Sequence, residues 1–186
     1  SYSNNDDQLY LGFSIIGKKK NYVKSKKIKK GELYITGKIG SALVFAAIEK
    51  KIISGMYSEE VINTMKQSNY EIFKIFSQFS IQHVTDISGF GLAIHANNLL
   101  LRNSDLNGLE ISLKKVPLYK GAIEALNNKV KSSLNDANKN SIINNLKVDY
   151  DKINKNYLNC LFDPQTAGGF LFILDPTQKK ILNELD

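Results

Sequence analysis

Phe170-Leu-Phe-Ile-Leu174 is an unbroken run of five apolar residues, with Gly168-Gly169 before it and Asp175-Pro176 after it. A run this short, bounded by turn residues, predicts a buried-type strand and not a helix. After it, Pro176–Leu185 reads as a final helix. Before it stands Phe162-Asp-Pro-Gln-Thr-Ala-Gly-Gly169. Pro164 restricts Asp163 to extended backbone, and Gly168-Gly169 permits unusual dihedrals. This segment reads either as a tight turn feeding the strand or as a loop packed beneath a site.

Working towards the N-terminus, Ile81-Gln-His-Val-Thr85 predicts a second strand. It runs into Asp86-Ile-Ser-Gly-Phe-Gly91, and Leu92–Leu101 predicts a helix. Leu9–Ile16 reads as a strand, followed by the lysine-rich loop Lys18–Lys30. Glu32–Thr36 reads as another strand, and Ser41–Lys51 as a short apolar helix after Gly40. Ser58 is placed as the N-cap of a long helix, with Glu59 and Glu60 in its first turn and an apolar face from Val61 to Phe76. Leu109–Leu113 alternates like a strand. Pro117–Asn127 predicts a helix with proline near its first turn. Residues 129–156 are polar and are expected to form a mobile insertion with a short helix near Ser141–Leu146. Strands and helices without a strict βαβ rhythm indicate an α+β or three-layer fold with a mixed sheet, not a doubly wound one.

Composition narrows the function. The 186 residues, 42% hydrophobic, suffice for one domain with a core. No apolar run approaches the roughly 20 residues of a membrane span, and the polar start is unlike a signal peptide. The chain begins with Ser1, not Met, so it is expected to start inside a longer protein. One cysteine, Cys160, excludes an internal disulfide and a cysteine-rich metal site, and reads as a structural thiol in a reducing compartment. The net charge of +7 comes almost wholly from lysine, Arg102 being the only arginine. Arginine makes the bidentate contacts to guanine and phosphate. Abundant Lys and Asn with scarce Arg fits codon bias from an AT-rich genome. Lys18–Lys30 reads as a solvated hairpin loop or as a patch facing a polyanion.

Chemistry concentrates in Thr85–Gly91. Glycines at a strand-to-helix turn let the backbone approach a ligand, and a helix N-terminus favours anions. A carboxylate there is at odds with an anion unless a cation intervenes. Mg²⁺ takes oxygen ligands from one or two carboxylates plus substrate phosphates. Asp86 is thus a candidate Mg²⁺ ligand; the competing reading makes it the helix N-cap. His95 reads as a residue hydrogen-bonded inside the fold, and His83 as more ordinary still.

Together the segments resemble the selenophosphate synthetases. That family carries Thr-Asp-Val-Thr-Gly-Phe-Gly-Leu-Leu-Gly-His, and this chain has Thr85-Asp-Ile-Ser-Gly-Phe-Gly-Leu-Ala-Ile-His95. The family's Asp-Pro-Gln-Thr-Ser/Ala-Gly-Gly stands here as Asp163–Gly169. Leu33–Gly40 looks like its Leu-Ile-Leu-Thr-Lys-Pro-Leu-Gly, with Gly37 and Lys38 replacing Lys-Pro. Ser88 replaces threonine, and Ile94 a glycine. Met65–Asn69 fits a helix preceding the Thr-Asp motif. Ser132-Ser-Leu134 and Asn138 resemble a segment of members fused to an oxidoreductase. The likeness covers about Leu9 to Leu174.

The resemblance implies a three-layer α/β/α-type fold like the C-terminal domain of aminoimidazole ribonucleotide synthetase-like proteins. It implies one C-terminal domain over residues 1–186, with an N-terminal half and a homodimeric state belonging to the full-length protein. The implied enzyme is a cytoplasmic, ATP-dependent phosphotransferase that makes selenophosphate from selenide, ATP and water. Asp86 is implied to hold Mg²⁺ with N-terminal-domain aspartates, and Ser88, Gly89 and Gly91 to lie near the ATP phosphates. No catalytic residue is expected here: the family's reactive Cys or selenocysteine and its lysine lie in the N-terminal part, so this chain alone is expected to be inactive. The alternatives are another ATP-dependent enzyme of the superfamily, disfavoured by Asp163–Gly169, and a lysine-rich nucleic-acid-binding module.

Overall fold

The computed structural model describes residues 12, 14–16, 28–79, 81, 83–151 and 153–185. Its sheet has three strands: β1 (Glu32–Ile35), β2 (Val84–Asp86) and β3 (Phe170–Leu174), in the order β1-β3-β2. Both pairings are antiparallel, Glu32 facing Leu174 and Ile35 facing Leu171 on one side, Val84 facing Phe172 and Asp86 facing Phe170 on the other. The sheet is therefore not mixed among the described residues, and β2 is an edge strand. A parallel bridge, Ile39 to Leu118, stands outside it.

The apolar run of β3 has a simple cause. Leu171 and Ile173 enter one core, and Phe172 and Leu174 enter another across the sheet. A strand covered on both faces has no polar side to show. The larger core packs against α1 (Ser41–Glu49), α2 (Tyr57–Met65), α4 (Gly91–Leu101), α5 (Lys120–Asn127) and α6 (Asn135–Ile142). The smaller core holds Phe76 of α3 (Tyr70–Gln78) and Ile181, which precedes α7 (Leu182–Leu185). Phe76 meets Phe172 and Phe170 with ring centroids 4.9 and 5.3 Å apart. The α+β class holds, with helices on both sheet faces.

The expected long helix from Ser58 is two helices. Val61 of α2 packs into the larger core and Phe76 of α3 into the smaller one. One straight helix cannot serve both sides of a sheet, so the chain breaks at residues 66–69. Ser58 is not the N-cap; Met56 is, and the Ser58 hydroxyl donates to the Gly55 carbonyl at 2.7 Å.

Three further expectations change. Leu109, Ile111 and Leu113 do alternate inward, but residues 106–112 join no ladder, and a cleft of about 900 Å³ is lined by this segment and by β1. Pro117 lies outside α5, which starts at Lys120, because Ile39 N–H donates to the Pro117 carbonyl and Tyr119 N–H to the Ile39 carbonyl. That keeps residues 117–119 extended. The final helix is 3₁₀ over Pro176–Ile181, opened by an Asp175–Gln178 capping box. Most of the expected strand Leu9–Ile16 and of the Lys18–Lys30 loop lies outside the described residues.

Part of the polar stretch 129–156 is built into the fold. Ser132, Asn135 and Asn138 are buried, and their side chains bond to Asp163, to the Asn159 carbonyl and to the carbonyls of Gly89 and Phe162. Its helix is α6, Asn135–Ile142, which begins earlier than expected.

Candidate functional site

Because β3 runs antiparallel to both neighbours, the ends of β1 and β2 and the start of β3 meet at one end of the sheet. Three loops converge there: 36–40, 86–91 and 163–169. Thr36 N–H donates to the Phe170 carbonyl, and Phe170 N–H to the Thr36 hydroxyl, at 3.0 and 2.8 Å. Ile87 N–H donates to the Gly169 carbonyl at 2.9 Å. Asn69, at the break between α2 and α3, donates its side-chain amide to the Gly168 carbonyl at 3.1 Å. Gly168 is needed for this closeness: a Cβ there would lie 2.2 Å from the Ile87 carbonyl oxygen.

Asp163 and Gln165 bond to the start of α1, beneath this surface. The first four N–H groups of a helix have no partner within it. Here the Gln165 side-chain oxygen Oε1 accepts from Gly40 N–H and Ser41 N–H at 3.0 and 3.2 Å, and the Asp163 carboxylate from Leu43 N–H at 3.3 Å. A backbone hydrogen bond from Ala42 also favours the Asp163 carboxylate. Ser132 donates to its other oxygen at 2.6 Å, and the Gln165 amide ties back to Asp163 at 3.0 Å. Burial nonetheless pushes the Asp163 carboxyl up to about 6, against the pull of these donors. The Asp-Pro-Gln-Thr segment is thus a packed support and not a ligand-facing loop. It occupies the α1 N-terminus with the protein's own carboxylate.

Asp86 ends β2 and is exposed. It is not a helix cap: α4 has Phe90 as its N-cap and no side-chain cap. No hydrogen bond holds its carboxylate among the described residues, so its oxygens are free to bind a hard cation. It stands alone, however, since those residues contain no group of three or more His, Cys, Asp or Glu. The site can offer Mg²⁺ one carboxylate and needs others from elsewhere.

The following loop is held from inside. Ser88 N–H donates to His95 Nε2 at 3.1 Å, with the Ser88 hydroxyl 3.2 Å from the same nitrogen. A backbone N–H can only donate, so Nε2 is the unprotonated nitrogen. Burial lowers the His95 pKa, which keeps the ring neutral; Asp86 pulls the other way. The Ser88 carbonyl accepts from Gly91 N–H and Gln165 N–H at 3.0 and 3.1 Å. Gly91, at φ 77°, is buried against the Leu161 and Asp163 carbonyls. Of the residues expected near phosphate, Ser88 and Gly91 therefore have their N–H groups engaged within the fold. Gly89 is exposed, with open space around it. Phe90, 60% exposed, lies near the His95 ring. Cys160 is buried, and burial pushes its thiol up to about 12, which suits a structural role.

Asn138 was legible only through family likeness. Nothing in its polar surroundings marks it as reaching the loop, because that contact joins residues 49 positions apart.

The class these features define is an α+β domain that presents one free carboxylate on a braced glycine loop. No protein-family profile matches the chain. It is, however, similar in sequence to selenide, water dikinases. It is 26% identical over 181 residues to the one from Pelobacter propionicus, covering 95% of this chain and 51% of that protein. With the Treponema denticola enzyme it shares 27% over 186 residues, 96% of this chain and 50% of the relative. With that of Clostridioides difficile it shares 30% over 140 residues, 75% and 39% respectively. The chain spans about half the length of the curated relatives it matches.

Proposed function

We propose that this chain is the C-terminal half of a cytoplasmic selenide, water dikinase, in which it completes the Mg²⁺·ATP site of an N-terminal half. The reaction joins selenide, ATP and water to give selenophosphate, AMP and phosphate. The observation that carries this reading is Asp86: a free, exposed carboxylate on a braced strand end, in a chain related along 95% of its length to such an enzyme. The complete protein is read as a homodimer.

Phosphoryl transfer needs positioning and charge neutralisation more than covalent help. Mg²⁺, when bound, neutralises charge on the phosphate oxygens. Asp86 would hold it through its carboxylate. Gly89 offers an unobstructed backbone towards the nucleotide, the Ser88 hydroxyl is turned to His95 Nε2, and Gly91 lets α4 start tight against the 161–163 segment. His95 holds the Ser88 backbone in place from behind.

The test is Asp86→Asn in the complete protein. Asparagine keeps the shape and removes the charge. Turnover should fall by about 10²-fold or more, while the melting temperature stays unchanged because Asp86 caps no helix. Near-wild-type turnover would overturn the reading.

A further inference from the structure

Asp86 ends β2, where it pairs with Phe170, and the loop that follows it leads to α4. The weakest point of that loop is Gly89. It has no side chain, a Cβ there would find nothing within 4 Å, and it is exposed. Ser88 to Gly91 form a turn closed by Gly91 N–H on the Ser88 carbonyl at 3.0 Å. Phe90, at φ −88° and ψ −8°, has the dihedrals of the third position of a type I turn.

We propose that Asn138 is a positioning residue for this site: its amide fixes the Gly89–Phe90 peptide and, with it, the loop that follows Asp86. Its role in turnover rests on the function proposed above. The Asn138 Nδ2 donates to the Gly89 carbonyl at 2.9 Å and to the Phe162 carbonyl at 3.0 Å. Both partners are acceptors, so the nitrogen end must face them. Phe162 is fully buried, which makes it a fixed post. Asn138 itself is 7% exposed. One amide therefore pins an otherwise unsupported glycine carbonyl to the core. The described peptide bonds include no cis bond. In a planar trans peptide the N–H points opposite to the carbonyl, so the Phe90 N–H is turned away from Asn138.

Asn135 provides the control. It lies on the same helix and is fully buried, but its amide bonds to the Asn159 carbonyl at 2.8 Å, away from the loop. The experiment compares Asn138→Ala and the milder Asn138→Ser with Asn135→Ala. In the 186-residue chain, backbone amide NMR should show the Ser88–Gly91 resonances broadened or shifted in the Asn138 variants and unchanged in Asn135→Ala. In the complete protein, turnover should fall roughly tenfold for a displaced site, and Mn²⁺ affinity, read by electron paramagnetic resonance, should weaken several-fold. Asn135→Ala should lower the melting temperature comparably and spare both readings. Unperturbed loop resonances in a folded Asn138 variant would overturn the proposal, as would turnover and Mn²⁺ affinity that match Asn135→Ala at equal stability loss. Asp86→Asn is run alongside: if it keeps full turnover the enzymatic reading fails, while the NMR comparison still decides the role of Asn138.

Discussion

At the scale of single residues, Asp163 is a buried carboxyl held by several hydrogen-bond donors. Removing its carboxylate leaves the Ser132 hydroxyl and Leu43 N–H without that acceptor, while the Gln165 amide keeps only the Asp163 main-chain carbonyl. Asp163→Ala should therefore destabilise the fold by about 3 kcal/mol or more, measured by urea unfolding at neutral pH. Its titration has a definite sign. The folded carboxyl sits at about 6, above the ordinary 3.8, because burial penalises the charge. The native state thus binds a proton more readily than the unfolded chain between those values. Relative to Asp163→Asn, which does not titrate, the wild-type protein should gain stability as pH falls from 7 to 4. A relative loss over that range would mean that the hydrogen-bond donors outweigh burial.

At the scale of elements, the two glycines that bound the Ser88–Gly91 turn have opposite roles. Gly91 sits at φ 77°, and a Cβ would come within 2.9 Å of the Leu161 carbonyl oxygen. Gly91→Ala combines left-handed strain with a backbone clash, and should cost about 3 kcal/mol. Gly89→Ala meets nothing, and its melting temperature should stay near that of the wild type. Thermal unfolding of the two variants side by side checks the contrast; equal losses would contradict it. The sequence placed both glycines at a strand-to-helix turn but could not separate them, because the neighbour that distinguishes them is the 161–163 segment, 70 residues away along the chain.

At the scale of the whole molecule, the described residues include no group of three or more His, Cys, Asp or Glu able to hold a metal ion, and the one cysteine is buried. One carboxylate holds Mg²⁺ weakly, since the ion sheds water reluctantly. The purified chain should show no selenide-dependent ATP consumption, assayed by AMP formation. Robust AMP release would mean that the chemistry does not need the further carboxylates argued for here. No described helix is long and apolar enough to cross a membrane.

The sequence by itself determined what depends on local pattern. The apolar run Phe170–Leu174 announced a buried strand because every one of its residues faces a core. The Thr85–Gly91 segment announced a strand leading through glycines to a helix, because the left-handed position at Gly91 favours glycine. Only the tertiary structure decided what depends on distant partners. Asp86 is no cap because the N-cap of α4 is Phe90, four residues later. The helix expected from Ser58 breaks because its two halves serve cores on opposite faces of the sheet. Asp163 and Gln165 bond to the start of a helix some 120 residues earlier, and Asn138 bonds to Gly89. A hydrogen bond between residues so far apart leaves no periodicity in the chain; it exists only once packing has brought the two ends together.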